Sequence, residues 1–120
     1  MSRTDAELLN EALHHFHLAS THSKTGMGDQ LVIDAVSMRL VAALEALHRL
    51  DAKVLDSAFG DTWTLMWGMR NRITHGYGMV DPAVIQRTVD IDVPLIAQKI
   101  EATLAQTTLP KHPDTTTFEQ

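Results

Sequence analysis

The stretch from Asp29 to Leu50, DQLVIDAVSMRLVAALEALHRL, decides the fold. Its apolar residues Ile33, Val36, Leu40, Ala43, Leu47 and Leu50 recur at spacings of 3-4-3-4-3. That repeat keeps one face of a helix against a partner. Three repeats are too few for an extended coiled coil, and an antiparallel bundle uses the same packing geometry. Asp29 supplies the side-chain oxygen that a helix N-cap needs. Val54 and Leu55 continue the pattern less cleanly, in part as a separate short helix, up to Gly60.

Upstream, Thr4-Asp5-Ala6-Glu7 has the spacing of a capping box. Leu9, Leu13, Phe16 and Ser20 then share one face of a first helix expected to end near Ser20. Thr21 to Gly28, with two glycines and small polar residues, reads as a loop. Downstream, Asp61 or Thr62 is placed to cap a helix through Trp63, Met66, Trp67, Arg70 and Ile73, ending between Thr74 and Gly78. Asp81-Pro82 pairs an N-cap with proline at the first helical position and starts a helix through Val84, Ile85, Thr88 and Val89. Pro94 must kink or restart that helix. Ile96, Ile100 and Leu104 form a further apolar stripe. No segment alternates with period two. The fold class is therefore all-α, an antiparallel bundle of four to five helices in one domain over residues 1–106. Residues 107–120, polar and broken by Pro110 and Pro113, read as a disordered tail.

The chain has 120 residues, 44% hydrophobic and 21% charged, a composition that excludes wholesale disorder and permits a real core. The absence of cysteine excludes disulfides, a thiol nucleophile and a cysteine-based zinc site. No apolar run approaches the roughly 18 residues needed to span a membrane, and Ser2-Arg3-Thr4-Asp5 lacks the apolar core of a signal peptide. The expectation is a soluble, cytoplasmic protein. The net charge of −5 argues against a non-specific nucleic-acid coat. Residues 62–88 run the other way: Arg70, Arg72 and Arg87 stand against Asp81 alone, with Trp63, Trp67 and Tyr77 among them. Such a segment suits a small anion or a single phosphate.

Phosphate-binding glycine loops and helix-borne His-Glu-x-x-His are missing. His14 and His17 share a helix face, with His15 and His22 near, but no carboxylate completes a ligand set. Neither a metal nor a cofactor is assigned. Trp63, Met66, Trp67 and Met69 at helical spacing read as core or an interface seam. The segment Arg70-Asn71-Arg72-Ile73-Thr74-His75-Gly76-Tyr77 joins a permanent guanidinium, able to hold a phosphate on two hydrogen bonds, to an imidazole able to move a proton near neutrality. The plain alternative for it is an exposed helix end with solvated charges.

The run Trp63-x3-Trp67-Gly-Met-Arg70-Asn-Arg-Ile-Thr-His75-Gly-Tyr77-x2-Val80-Asp81 resembles the HEPN domains of HepT-like toxins, whose signature is Arg-x4-His-x-Tyr followed by Val-Asp. Asp34 to Pro94 fits that layout, with Leu44-Glu45-Ala46 where Gly-Glu-Ala is usual. The resemblance implies a helical homodimer whose Arg-x4-His segments meet across a cleft, acting as a metal-independent endoribonuclease of a type VII-like toxin–antitoxin pair. Arg70 would hold the scissile phosphate, His75 would act as general acid or base, and Asn71 would orient the site. RNA would be cut to a 2′,3′-cyclic phosphate. Tyr77 would be the position at which a cognate nucleotidyltransferase antitoxin adds AMP and silences the toxin. The alternative reading is a non-catalytic helical subunit that binds a nucleotide or a nucleotidyltransferase through the same pocket. A purely structural dimer is the third.

Overall fold

The structure, a computed structural model, describes residues 4–76 and 80–108. Helix α1 (Asp5–Ser23) opens with the expected capping box: the Thr4 hydroxyl accepts from the Glu7 amide at 3.1 Å, and the Glu7 carboxylate accepts from the Thr4 amide at 2.9 Å. It runs one turn past the expected end, because Ser23 is buried and its hydroxyl donates to the Ser20 carbonyl at 2.8 Å. Helix α2 (Gln30–His48) starts at Asp29, whose carboxylate accepts from the Leu31 amide. The two helices form an antiparallel hairpin. Arg49, just past the end of α2, bonds Glu11 near the start of α1 at 3.1 Å, and the Asp51 amide donates to Asp5.

Val36, Leu40, Ala43, Leu47 and Leu50 of the α2 seam are buried, as the repeat requires, whereas Ile33 is half-buried. Val41, Leu44 and Ala46 are buried too, so α2 is covered on more than one side and forms the central helix. It meets Leu8, Leu9, Ala12, Phe16 and Ala19 of α1 in one core. Burying Phe16 alone, at 2% exposure, stabilises the bundle by about 2–3 kcal/mol.

The short apolar segment after α2 is a separate helix, α3 (Ala52–Phe59), capped by Asp51 and stopped at Gly60 with φ +52°. Thr62 does not cap the next helix: its hydroxyl donates to the Phe59 carbonyl at 2.6 Å and so closes α3. Helix α4 (Thr62–Gly76) packs on α2 and α3. Asp81 then caps α5 (Pro82–Arg87) by accepting from the Ala83 amide, with Pro82 in the first turn as expected.

The helix does not break at Pro94. A π-helical turn, Thr88–Asp92, joins α5 to α6 (Val93–Thr108) in one continuous run, and the Val93 amide donates five residues back to Thr88. A proline has no amide and its ring crowds the carbonyl four residues before it. Widening the preceding turn removes that demand. The wider turn also suits the apolar stripe Ile85, Val89, Val93, Ile96, Ile100 and Leu104, all packed into or against the core. Its spacing of 4-4-3-4-4 overshoots five α-turns by about one residue, and the π turn absorbs that residue.

With α5 and α6 taken as one run, the described residues form five helical runs and no strand. No described helix is long and apolar enough to cross a membrane. Tyr77 lies outside the described residues, as does the part of the expected 107–120 disordered tail from residue 109 onward; residues 107 and 108, expected in that tail, instead end α6.

Candidate active site on helix α4

The C-terminal half of α4 carries the arginine and the histidine on different faces. Five residues along an α-helix turn a side chain through about 140°. Arg70 accordingly points back to α2, while His75, in the last turn, is exposed and lines a different hollow.

On the first face, Arg70 is held on three sides. Its Nε and Nη2 donate to a single Glu45 oxygen at 3.1 and 2.7 Å. Its Nη1 donates to the Asn71 side-chain oxygen at 3.1 Å. Its Cζ lies 4.6 Å from the centre of the Trp67 ring, a cation–π distance. Arg70 is 24% exposed and Glu45 42%, so the pair stands at the edge of solvent and can exchange partners with an incoming phosphate.

On the second face, Asn71, Arg72, His75, Gly76, Val80, Asp81 and Val84 enclose an open hollow of about 540 Å³. It lies between the end of α4 and the start of α5. Asn71 belongs to both faces: it accepts from Arg70 and lines the hollow with His75. An adjoining apolar groove of about 430 Å³ shares Arg72 and Val84 with that hollow and runs between α4 and the last helix. Met69 closes its floor, and Met66 lines it.

Trp63 and Trp67, expected in the core or at an interface seam, are half-buried and pack against the core. They stack on each other at 5.7 Å, and His48 of α2 stacks on Trp67 at 4.2 Å with planes 13° apart. Glu45 and His48, one turn apart on α2, thus form the other wall of the Arg70 face. The family resemblance touched Glu45 without giving it a role, and His48 had none. A usable signal was present: Glu45 is a charge inside the apolar run Val41 to Leu47, where a carboxylate needs a partner.

The histidines of α1 do something else. His15 receives an Arg39 Nη1 contact at its Nδ1, 3.1 Å away, which requires the neutral tautomer with a free Nδ1. Burial first, and then the Arg39 charge, push its pKa below the ordinary imidazole value, with Glu11 opposing and His14 adding to the fall. No three His, Asp or Glu side chains among the described residues gather as a metal-ligating group.

The chain was compared with known proteins. No curated protein and no solved structure matches it. The family model for ribonuclease HepT-like proteins matches residues 8–103. That span runs from the first turn of α1 into the last turns of α6 and contains every residue of both α4 faces. With its all-α bundle and its Arg70-x4-His75 segment, the chain belongs to the HepT-like ribonuclease family of HEPN domains.

Proposed function

We propose that the protein is the toxin ribonuclease of a two-component pair, cutting RNA at a site built from two subunits. The supporting observation is the placement of Arg70 and His75 on different faces of one helix: Arg70 is held by Glu45 of α2, while His75 lines the hollow at the start of α5. One subunit alone offers half a site on each face. A two-fold partner laying its α4 beside this one brings two arginines and two histidines to a single phosphate.

In this mechanism the RNA 2′-hydroxyl attacks the adjacent phosphorus and loses its proton to one His75. The second His75 protonates the leaving 5′-oxygen. Each step keeps its proton count, and the products are a 2′,3′-cyclic phosphate and a 5′-hydroxyl. The paired Arg70 side chains neutralise the charge that grows on the phosphorane oxygens. Asn71 holds Arg70 in register through its side-chain oxygen. Tyr77 follows His75 by two residues, and AMP joined to it by a nucleotidyltransferase antitoxin would set a competing phosphate beside the arginines.

The test is cleavage of labelled tRNA and mRNA in EDTA by protein shown by intact mass to be unmodified, beside His75→Ala. Cyclic-phosphate ends from the wild type alone support the reading. No cleavage by either folded protein favours the non-catalytic nucleotide- or partner-binding subunit. Equal cleavage by both removes His75 from the mechanism.

A further inference from the structure

The ring stack beside Arg70 has a use that phosphate binding does not absorb. Three near-parallel rings meet there: Trp63 and Trp67 of α4 and His48 of α2, with planes 13° to 27° apart. Their centroid separations are 4.2 Å for His48–Trp67, 5.7 Å for Trp63–Trp67 and 6.2 Å for His48–Trp63. Trp67, near-parallel at 4.2 Å, covers one face of the imidazole, and the acute angle at His48 in that triangle keeps Trp63 off the opposite face. The opposite face of the ring points away from them, and His48 is exposed. Trp67 also lies under the Arg70 guanidinium at 4.6 Å. His48 and Arg70 are therefore no more than about 9 Å apart, within the span of one nucleotide.

We propose that His48, backed by Trp67 and Trp63, is a stacking platform for an unpaired nucleobase of single-stranded RNA whose phosphate sits at Arg70. The role given to Arg70 rests on the ribonuclease reading; the platform rests on the ring geometry. Aromatic faces accept any base and gain by stacking on it. A base inside a duplex is already stacked and its face is covered. The platform therefore selects single strands, loops and bulges, and it does so in a chain whose acidic net charge offers little general attraction to RNA.

The chain contains two tryptophans, both in this stack, so its entire indole fluorescence reports on the platform. Full-length protein is titrated with a 2′-O-methyl hexa-adenylate, which cannot be cut, and with an abasic oligomer of the same length and charge. Saturable indole quenching by the adenylate, with roughly tenfold weaker binding of the abasic strand, is the expected result. His48→Ala should weaken adenylate binding by roughly tenfold, and His48→Phe should restore it. Equal affinity for both strands, no adenylate binding, or an unchanged His48→Ala affinity each overturns the platform. Cleavage of tRNA is read in parallel. Cleavage without base dependence sinks the platform and spares the ribonuclease, whereas base-dependent binding without cleavage does the reverse.

Discussion

Arg70 gives two of its hydrogens to one oxygen of Glu45, at 3.1 and 2.7 Å, across the α2–α4 contact. A guanidinium gripped this way has its Nη1 edge turned toward Asn71 and loses little further freedom when a phosphate arrives. Glu45→Gln keeps the shape and an acceptor but removes the charge. Cleavage should fall roughly tenfold, since small misplacements of a catalytic group cost one to two orders of magnitude. The pair is partly solvated, so stability should change by no more than about 1 kcal/mol. Steady-state cleavage rates beside urea midpoints separate the two effects. A large loss of stability would make Glu45 a structural anchor instead.

Subunit mixing tests the two-histidine mechanism. If each reaction uses His75 from both subunits, an exchanged equimolar mixture of wild type and His75→Ala keeps about a quarter of the activity of the same total amount of wild type, because only wild-type pairs work. Independent sites would keep about half. His75 is exposed at a helix end, so the variant itself should unfold within about 0.5 kcal/mol of wild type.

His15 gives stability a pH dependence. Its folded pKa is lowered by burial and by Arg39. On acidification through about pH 6.5 the unfolded chain takes up a proton that the folded chain refuses, so stability falls as pH drops. The fall from this group stops below its folded pKa. Urea midpoints measured from about pH 7.5 to about pH 5.5 should drop less steeply for His15→Gln than for wild type. Parallel curves would show that neither burial nor Arg39 holds the His15 pKa down in solution.

Gly60 ends α3 at φ +52°, and a β-carbon there would meet the Asp56 carbonyl oxygen at an ordinary 3.7 Å. The cost of Gly60→Ala is thus conformational rather than steric crowding. It should destabilise the protein by about 1–2 kcal/mol in denaturant unfolding. No change would mean that the turn relaxes to another geometry.

The π turn makes an unusual deletion tolerable once Pro94 is replaced as well. Removing Ile91, which is 55% exposed, leaves five whole α-turns between Ile85 and Leu104, about 18 residues, and keeps the stripe aligned. Pro94 would then clash with an ordinary α-turn. Deletion of Ile91 alone should unfold readily, and deletion combined with Pro94→Ala should recover most of the lost stability. Thermal melts of both variants check this, and equal melting points would deny the proline its part.

Most of the bundle was legible because its helices announce themselves locally. Thr4, Asp29 and Asp81 each cap where their spacing placed them, and the α2 repeat marked the central helix. The overrun of α1 to Ser23 was not legible, since the tertiary burial of Ser23 decides it. The π turn was written in the 4-4-3-4-4 spacing, but a proline invites the reading of a break. At the site, Arg70 and His75 stand out by type and spacing. Glu45 and His48 do not, because their links to α4 run through space, 25 residues from Glu45 to Arg70 and 19 from His48 to Trp67, and no periodicity carries that. The histidines of α1 drew attention by number and a shared face, while Arg39, the partner of His15, sits on another helix.

The stiffness of α4 has a consequence for control. Arg70 and His75 ride on one rod, so no loop movement within a subunit can bring them together or part them. Under the proposed mechanism the one adjustable distance is that between subunits. Dilution would then act as an off switch: activity per molecule falls with the fraction paired, and a freshly made, unpaired chain is harmless until enough copies accumulate to meet.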